Sequence, residues 1–218
     1  MRLRNITGSE KIIESSKYVI QRPKEIKSDW KNIFCKENPL YIEIGMGKGQ
    51  FIIEMAKLYP NINFIGIEKY TSVLLRAIQK IGEEDIPNLR FLCLDATEIT
   101  EIFAAEEVNK IYLNFSDPWP KDRHAKRRLP SKEYLERYDQ ILRTDGNLEF
   151  KTDNRGLFDF AVEQVSEANW SIDQITYDLH NDNDMNIGNI MTEYEQKFSS
   201  MGNPIHKYII SRQNRCWQ

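Results

Sequence analysis

The chain has 218 residues, 40% of them apolar and 29% charged, with a formal net charge of -3. That length and composition suffice for one substantial buried core and exclude a disordered polyelectrolyte. No apolar run approaches the roughly 18 residues of a membrane span, and the charged N-terminus lacks the apolar stretch of a signal peptide, so a soluble cytoplasmic protein is expected.

Residues 1–35 read as an N-terminal basic arm: polar helix-like stretches, one proline (Pro23), and too little apolar surface for a core of their own. They are expected to pack on a main domain formed by residues 36–218. Within residues 1–31, eight cations (Arg2, Arg4, Lys11, Lys17, Arg22, Lys24, Lys27, Lys31) outnumber four acids (Glu10, Glu14, Glu25, Asp29). From residue 40, short β-rich apolar runs alternate with helical patterns. Strands are expected near 40–45, 62–68, 89–95, 109–115 and 146–152, and helices near 49–58, 70–81, 97–104, 131–143 and 157–168. A strand-like run at 170–179, a polar loop from Asn181 to Asn189 and a last strand near 205–211 complete the chain. This is the pattern of an α/β fold: a doubly wound, mostly parallel seven-stranded sheet with a hairpin-like closing pair. Cys35, Cys93 and Cys216 are too few and scattered for a disulfide framework or a zinc site, so no metal is expected.

Glu43-Ile44-Gly45-Met46-Gly47-Lys48-Gly49 ends the first strand and opens a helix. Glycine there permits a sharp turn and a close approach of ligand to backbone. A dinucleotide fingerprint needs another small residue where Gln50 stands, which disfavours a pyrophosphate. A tight turn without ligand would use the same glycines, but Glu68 and Asp95 end the next two strands and Asp117 follows the fourth. Ligands of open α/β sheets bind beyond the carboxyl ends of the strands, so Glu43, Glu68, Asp95 and Asp117 should share one rim. Solvation accounts for any one acid at a strand end and not for all four. Such a rim suits a cationic ligand bearing hydroxyls and an amine: Glu68 can hold two ribose hydroxyls, and Asp95 can accept from an adenine amino group. S-adenosyl-L-methionine has those groups and no phosphate. In these residues the chain resembles the class I methyltransferases, whose doubly wound sheet has a reversed, antiparallel last strand.

Asp117-Pro118-Trp119-Pro120 is a proline-stiffened turn, followed by a tract in which five of the eight residues 121–128 are Lys or Arg and one is Asp. A charge run is usually a solvated face; its place directly after a candidate reaction loop points to a polyanion. The whole run resembles the bacterial tRNA (guanine-N7)-methyltransferases, which methylate a guanosine in the variable loop. The resemblance spans Leu40 to Arg212, through Glu43 to Gly49, Asp117 to Lys121, Arg123-His124 with Lys126-Arg127-Arg128, Lys151-Thr152-Asp153-Asn154, and Thr192-Glu193-Tyr194-Glu195. It implies cofactor contacts at Glu43, Gly45, Gly47, Gly49, Glu68, Asp95 and Asp117. It also implies substrate contacts at Lys121, Asp153, Thr192, Tyr194 and Glu195, and tRNA along Arg123, His124, Lys126, Arg127 and Arg128. Asp122, and the segment Ile6-Thr7-Gly8-Ser9, depart from the family pattern.

Guanine N7 offers a free lone pair and loses no proton on methylation, so no strong base is required and alignment should dominate. Asp117, with Asp153 or Glu195, is expected to accept hydrogen bonds from the guanine N1 and N2 donors, an edge adenine lacks. Trp119 and Tyr194 are candidate platforms for an extruded base. Three rival readings stand beside this one: a methyltransferase of exocyclic or amide nitrogens, a nucleotide-dependent oxidoreductase, and a non-catalytic RNA-binding protein. The sequence leaves monomer and homodimer open.

Overall fold

The computed structural model describes residues 8–34 and 36–213. Arg2, Arg4, Ile6, Thr7, Cys35 and Cys216 lie outside the described residues. Seven strands form one sheet in the order β3-β2-β1-β4-β5-β7-β6. They are β1 (Leu40–Ile44), β2 (Asn63–Glu68), β3 (Leu89–Cys93), β4 (Val108–Asn114), β5 (Leu142–Thr152), β6 (Trp170–Thr176) and β7 (His206–Arg212). The first five run parallel, and β7 is antiparallel to both β5 and β6. The chain winds outward from β1 through β3 and then crosses to β4. The gap between β1 and β4 is therefore the switch point at which such sheets bind ligands.

Alternation along the strands sorts their side chains onto two faces. One face buries Ile42, Ile44, Ile111, Leu113, Leu148 and Phe150 under α5 (Ile99–Ile102), α6 (Lys132–Ile141) and α7 (Arg155–Glu167). The other is apolar over β2 and β3, where Phe64, Leu89 and Phe91 meet α3 (Gln50–Leu58) and α4 (Thr71–Ile81). Over β4, β5 and β7 that second face turns polar: Lys110, Glu149, Lys151 and Lys207 are all buried or nearly so, with Lys110 and Lys207 both 3.1 Å from Glu149.

Residues 8–34 lie against this sheet. The short helix α1 (Ser9–Ser15) packs on α4, and Val19 bridges Phe91 in parallel beside β3, covering an edge that would otherwise expose backbone donors. Trp30, in α2 (Trp30–Phe34), is buried and donates its indole N–H to the Ile102 carbonyl. Two differences from the sequence reading have physical causes. The expected helix at 97–104 is a 3-10 turn (Ala96–Glu98) running into the single turn of α5. A helix absent from the sequence reading, α8 (Glu193–Ser200), follows the polar loop. Of its residues only Glu195 is buried, so it has no apolar stripe to show in the sequence.

Candidate active site

The turn after β1 is built from three glycines in the left-handed region, Gly45 at φ 76°, Gly47 at 58° and Gly49 at 74°. A Cβ on Gly49 would stand 2.9 Å from the Ala77 Cβ, so this glycine lets α3 pack on α4. Around Gly47 nothing would meet a Cβ within 4 Å, which leaves its backbone open to a ligand.

Glu43 and Asn114 face each other across the switch point, the Asn114 amide donating to Glu43 Oε1 at 2.8 Å. Glu43 Oε2 and Asn114 Oδ1 are buried without a hydrogen-bond partner among the described residues. Burial pushes the Glu43 carboxyl up to about 8; the Asn114 bond and the Lys151 charge oppose that rise, and the charge of Glu68 adds to it. Glu68, at the end of β2, accepts from the backbone N–H groups of Gly47 (3.1 Å) and Tyr70 (2.9 Å) and so clamps the glycine turn to the sheet. Burial raises its carboxyl as well, against these N–H bonds and with the Asp117 charge. Asp95 accepts at Oδ1 from the N–H and hydroxyl of Thr97 and at Oδ2 from Lys69 at 2.6 Å. Burial pushes its carboxyl upward, and the Lys69 and Thr97 bonds outweigh that and bring it to about 2.

Asp117 is exposed and accepts no hydrogen bond among the described residues. Its loop contains two non-glycine residues in the left-handed region, Phe115 at φ 52° and Trp119 at 41°, a strained backbone that its surroundings must hold. Arg128 supplies the hold. Its Nε donates to the Pro118 carbonyl (3.0 Å) and its Nη2 to the Trp119 carbonyl (3.1 Å), while its guanidinium lies 4.3 Å from the Phe160 ring centroid. Trp119 is flanked edge-on by His124, with ring centroids 5.6 Å apart, and by the Arg127 guanidinium at 5.2 Å.

A sequence model of a family described as "Putative methyltransferase" matches residues 37–208. The tRNA (guanine-N(7)-)-methyltransferase of Lachnoclostridium phytofermentans is 59% identical over 98% of this chain and 99% of that protein. The protein of the same name from Geobacillus sp. is 49% identical over 95% and 94%. The chain belongs to the tRNA (guanine-N7)-methyltransferase family. Among solved structures, an antibiotic-related methyltransferase superposes with a TM-score of 0.63 at 16% identity, covering 84% of this chain and 92% of that one. The 16S rRNA methyltransferase KamB does so with 0.63 at 12%, covering 84% and 91%. At those identities the likeness is one of fold, the class I methyltransferase sheet with its reversed last strand.

Among the residues that resemblance to this family singled out, Glu68 lies close enough to Glu43 on one side and Asp117 on the other for their charges to interact, and the glycine turn adjoins it. Asp95, at the next strand end, is occupied as the cap of a short turn and in an ion pair. Asp153, just beyond β5, is half-buried, and Tyr194 on α8 is 55% exposed with its ring stacked on Phe198. Two of these residues are placed differently from the rest. Arg128 turns its Nε and Nη2 donors onto the strained turn instead of extending along the surface with the other cations. Glu195 does not face an open site: it is fully buried, and Lys151, His180 and Asn189 occupy its oxygens. Thr192 is buried as the cap of α8, its hydroxyl accepting from the Glu195 N–H.

Asn114 and Lys151 carry much of the polar interior of the site; Asn114 was not singled out from the sequence, and Lys151 was noted only as part of a motif, without a role. An isolated Asn or Lys within a strand gives no pattern. The helix α8 did have a signal, the spacing Thr192-x-x-Glu195 of a helix cap.

Proposed function

We propose that this protein transfers the methyl group of S-adenosyl-L-methionine to N7 of a guanosine in the variable loop of tRNA. N7 methylation of a tRNA guanine rests on relatives of that name up to 59% identical over nearly the whole chain. The observation that supports the cofactor is the switch point itself, where the buried Glu43 keeps one oxygen unpartnered beside the open Gly47 backbone. A cationic ligand would satisfy that oxygen and lower the cost of its charge. When bound, the cofactor supplies a methyl group on a positively charged sulfur.

The protein's own residues supply alignment. The backbone of Gly45, Gly47 and Gly49 shapes the cofactor seat, and Glu43 and Glu68 hold its cationic and hydroxyl-bearing ends, with Asp95 at the rim. Asp117 accepts from guanine N1 and N2, which fixes N7 in line with the methyl carbon and favours the cationic product ring. Asp153, Lys121 and the exposed ring of Tyr194 contact the substrate from the opposite side, and Lys121, Arg123, Lys126 and Arg127 meet tRNA phosphates. Residues 1–35 serve as an arm to the methyltransferase domain of residues 36–218. No helix among the described residues is long and apolar enough to cross a membrane, and no group of residues among them is arranged to hold a metal ion.

Incubating the protein with labelled cofactor and undermodified tRNA, followed by nucleoside analysis, should give 7-methylguanosine. Label in an exocyclic-methylated nucleoside would overturn the reading. Asp117→Asn should lower kcat/KM roughly 100-fold and weaken guanine selectivity; near wild-type turnover with selectivity intact would remove Asp117 from this role.

A further inference from the structure

Lys151 is the largest charged side chain with no exposure at all among the described residues. It closes β5 on the polar face of the sheet. Its ammonium donates to Glu195 Oε2 at 2.7 Å, Asn189 Oδ1 at 2.9 Å and the Ile190 carbonyl at 3.0 Å, and lies 5.2 Å from the Phe51 ring. All three of its donors are thus used, and all three acceptors belong to residues 189–195. The other oxygen of Glu195 accepts from Asn189 Nδ2 at 2.7 Å and lies 3.0 Å from His180 Nε2. The helix whose first turn contains Glu195 is held from outside as well, because Glu193 pairs with Lys48 at 3.0 Å and Lys80 at 2.6 Å. Lys207 reaches the same loop through the Met185 carbonyl at 3.3 Å.

A fully buried ion pair is a poor source of net stability, since burying the two charges costs about what their attraction returns, but breaking one partner away is severe. Such a pair specifies position. In an ordinary capping box the glutamate three residues after the cap turns back to the cap's own N–H. Here Glu195 turns into the sheet instead.

We infer that Lys151 and Glu195 form a positioning pair that locks residues 189–195, and with them the start of α8, to the end of β5, and that Glu195 serves the substrate through this lock rather than by touching the base. The inference rests on the proposed tRNA guanine reaction. It assigns base recognition to Asp117 and Asp153, on the open rim, and takes it from a carboxylate whose oxygens are already occupied. Lys151 lies on the same strand as the approach to Asp153, so one residue sets both walls of the substrate side. Its charge also reaches Glu43, which links the substrate wall to the cofactor seat.

The test compares Lys151→Met, Glu195→Gln and the double variant on full-length protein. It reads methylation kinetics with varied tRNA, melting temperature and affinity for S-adenosylhomocysteine. Lys151→Met leaves a buried carboxylate unpaired and should lower kcat/KM roughly 100-fold, mostly through KM for tRNA. Glu195→Gln keeps a carbonyl oxygen for Lys151 and should lose no more than about 10-fold, and the neutral double variant should recover to within about 10-fold of wild type. The lock is overturned if Lys151→Met behaves as wild type. It is equally overturned if Glu195→Gln and the double variant stay roughly 100-fold or more down with normal melting and cofactor affinity, the result for a base-reading carboxylate. If Lys151→Met does not fold, the other two variants decide. Wild-type protein forming a product other than 7-methylguanosine would instead remove the underlying reaction.

Discussion

Residues 11–31 and residues 121–128 are both rich in cations, yet the structure uses the two sets differently. In the arm, Lys17 pairs with Asp85, Lys24 with Glu98 and Glu101, Arg22 with Glu25 and Lys31 with Glu37, while Lys27 donates to the Thr100 carbonyl. Several of those partners belong to the domain beneath, so these charges help seat the arm. In the tract, Lys121 and Arg123 make no ion pair among the described residues, Lys126 has one loose partner in Glu133, and Arg127 covers an indole. A run of like charge thus serves docking where acids face it, and stays exposed, as the proposed polyanion contact requires, where few do. Net charge, at -3, conceals both.

The largest effect should come from setting one region against the other. Replacing Lys121, Arg123 and Arg127 by Ala should weaken tRNA binding about 10- to 100-fold and flatten the slope of log K against log salt by about 2 to 3, with cofactor affinity unchanged. Replacing Lys17, Lys24 and Lys31 by Ala should leave that slope as in wild type, since exposed pairs such as these contribute little even to stability. An equal loss of slope in the arm variant would erase the distinction.

Arg128 sharpens it at the level of one residue. If its guanidinium braces the Trp119 turn, Arg128→Lys, which cannot reproduce the two-pronged geometry, should lower kcat roughly 10-fold and the melting temperature by a few degrees. The salt slope should not move. A flattened slope with unchanged melting would place Arg128 back among the phosphate contacts.

The smallest effect concerns the opposite charge. Glu43 titrates near 8 in the folded protein, above the ordinary carboxylate value of 4.5. Its protonated form therefore favours folding; this contribution is complete below about pH 4.5 and is lost as pH rises through about 8. Glu43→Gln should melt above wild type at pH 9 and level with it near pH 4, while binding the cofactor more weakly. Equal melting curves at both pH values would show that Glu43 is not a destabilised buried acid.

The strand and glycine-turn pattern was legible because periodicity and φ requirements are local. The alternation at 40–45 and the spacing of Gly45, Gly47 and Gly49 led directly to β1 and its turn, and the acids at strand ends marked where β1 and β2 stop. The tract after Trp119 was legible as a cluster, though not the fate of its members. What separates Arg128 from Arg127 is a pair of carbonyls in the strained turn, Pro118 and Trp119, and a phenylalanine on α7, and no short sequence window contains them all.

From its residues alone, then, this chain determined which segments pair into a sheet, where that sheet opens to a ligand, and which family its motifs belong to, because each depends on short-range spacing. Tertiary packing alone decided which charges remain exposed. The burial of Lys151 and Glu195, the orphaned oxygen of Glu43 and the docking of the arm arise where distant strands and helices meet, and the energy of a charge depends on what surrounds it in space rather than along the chain.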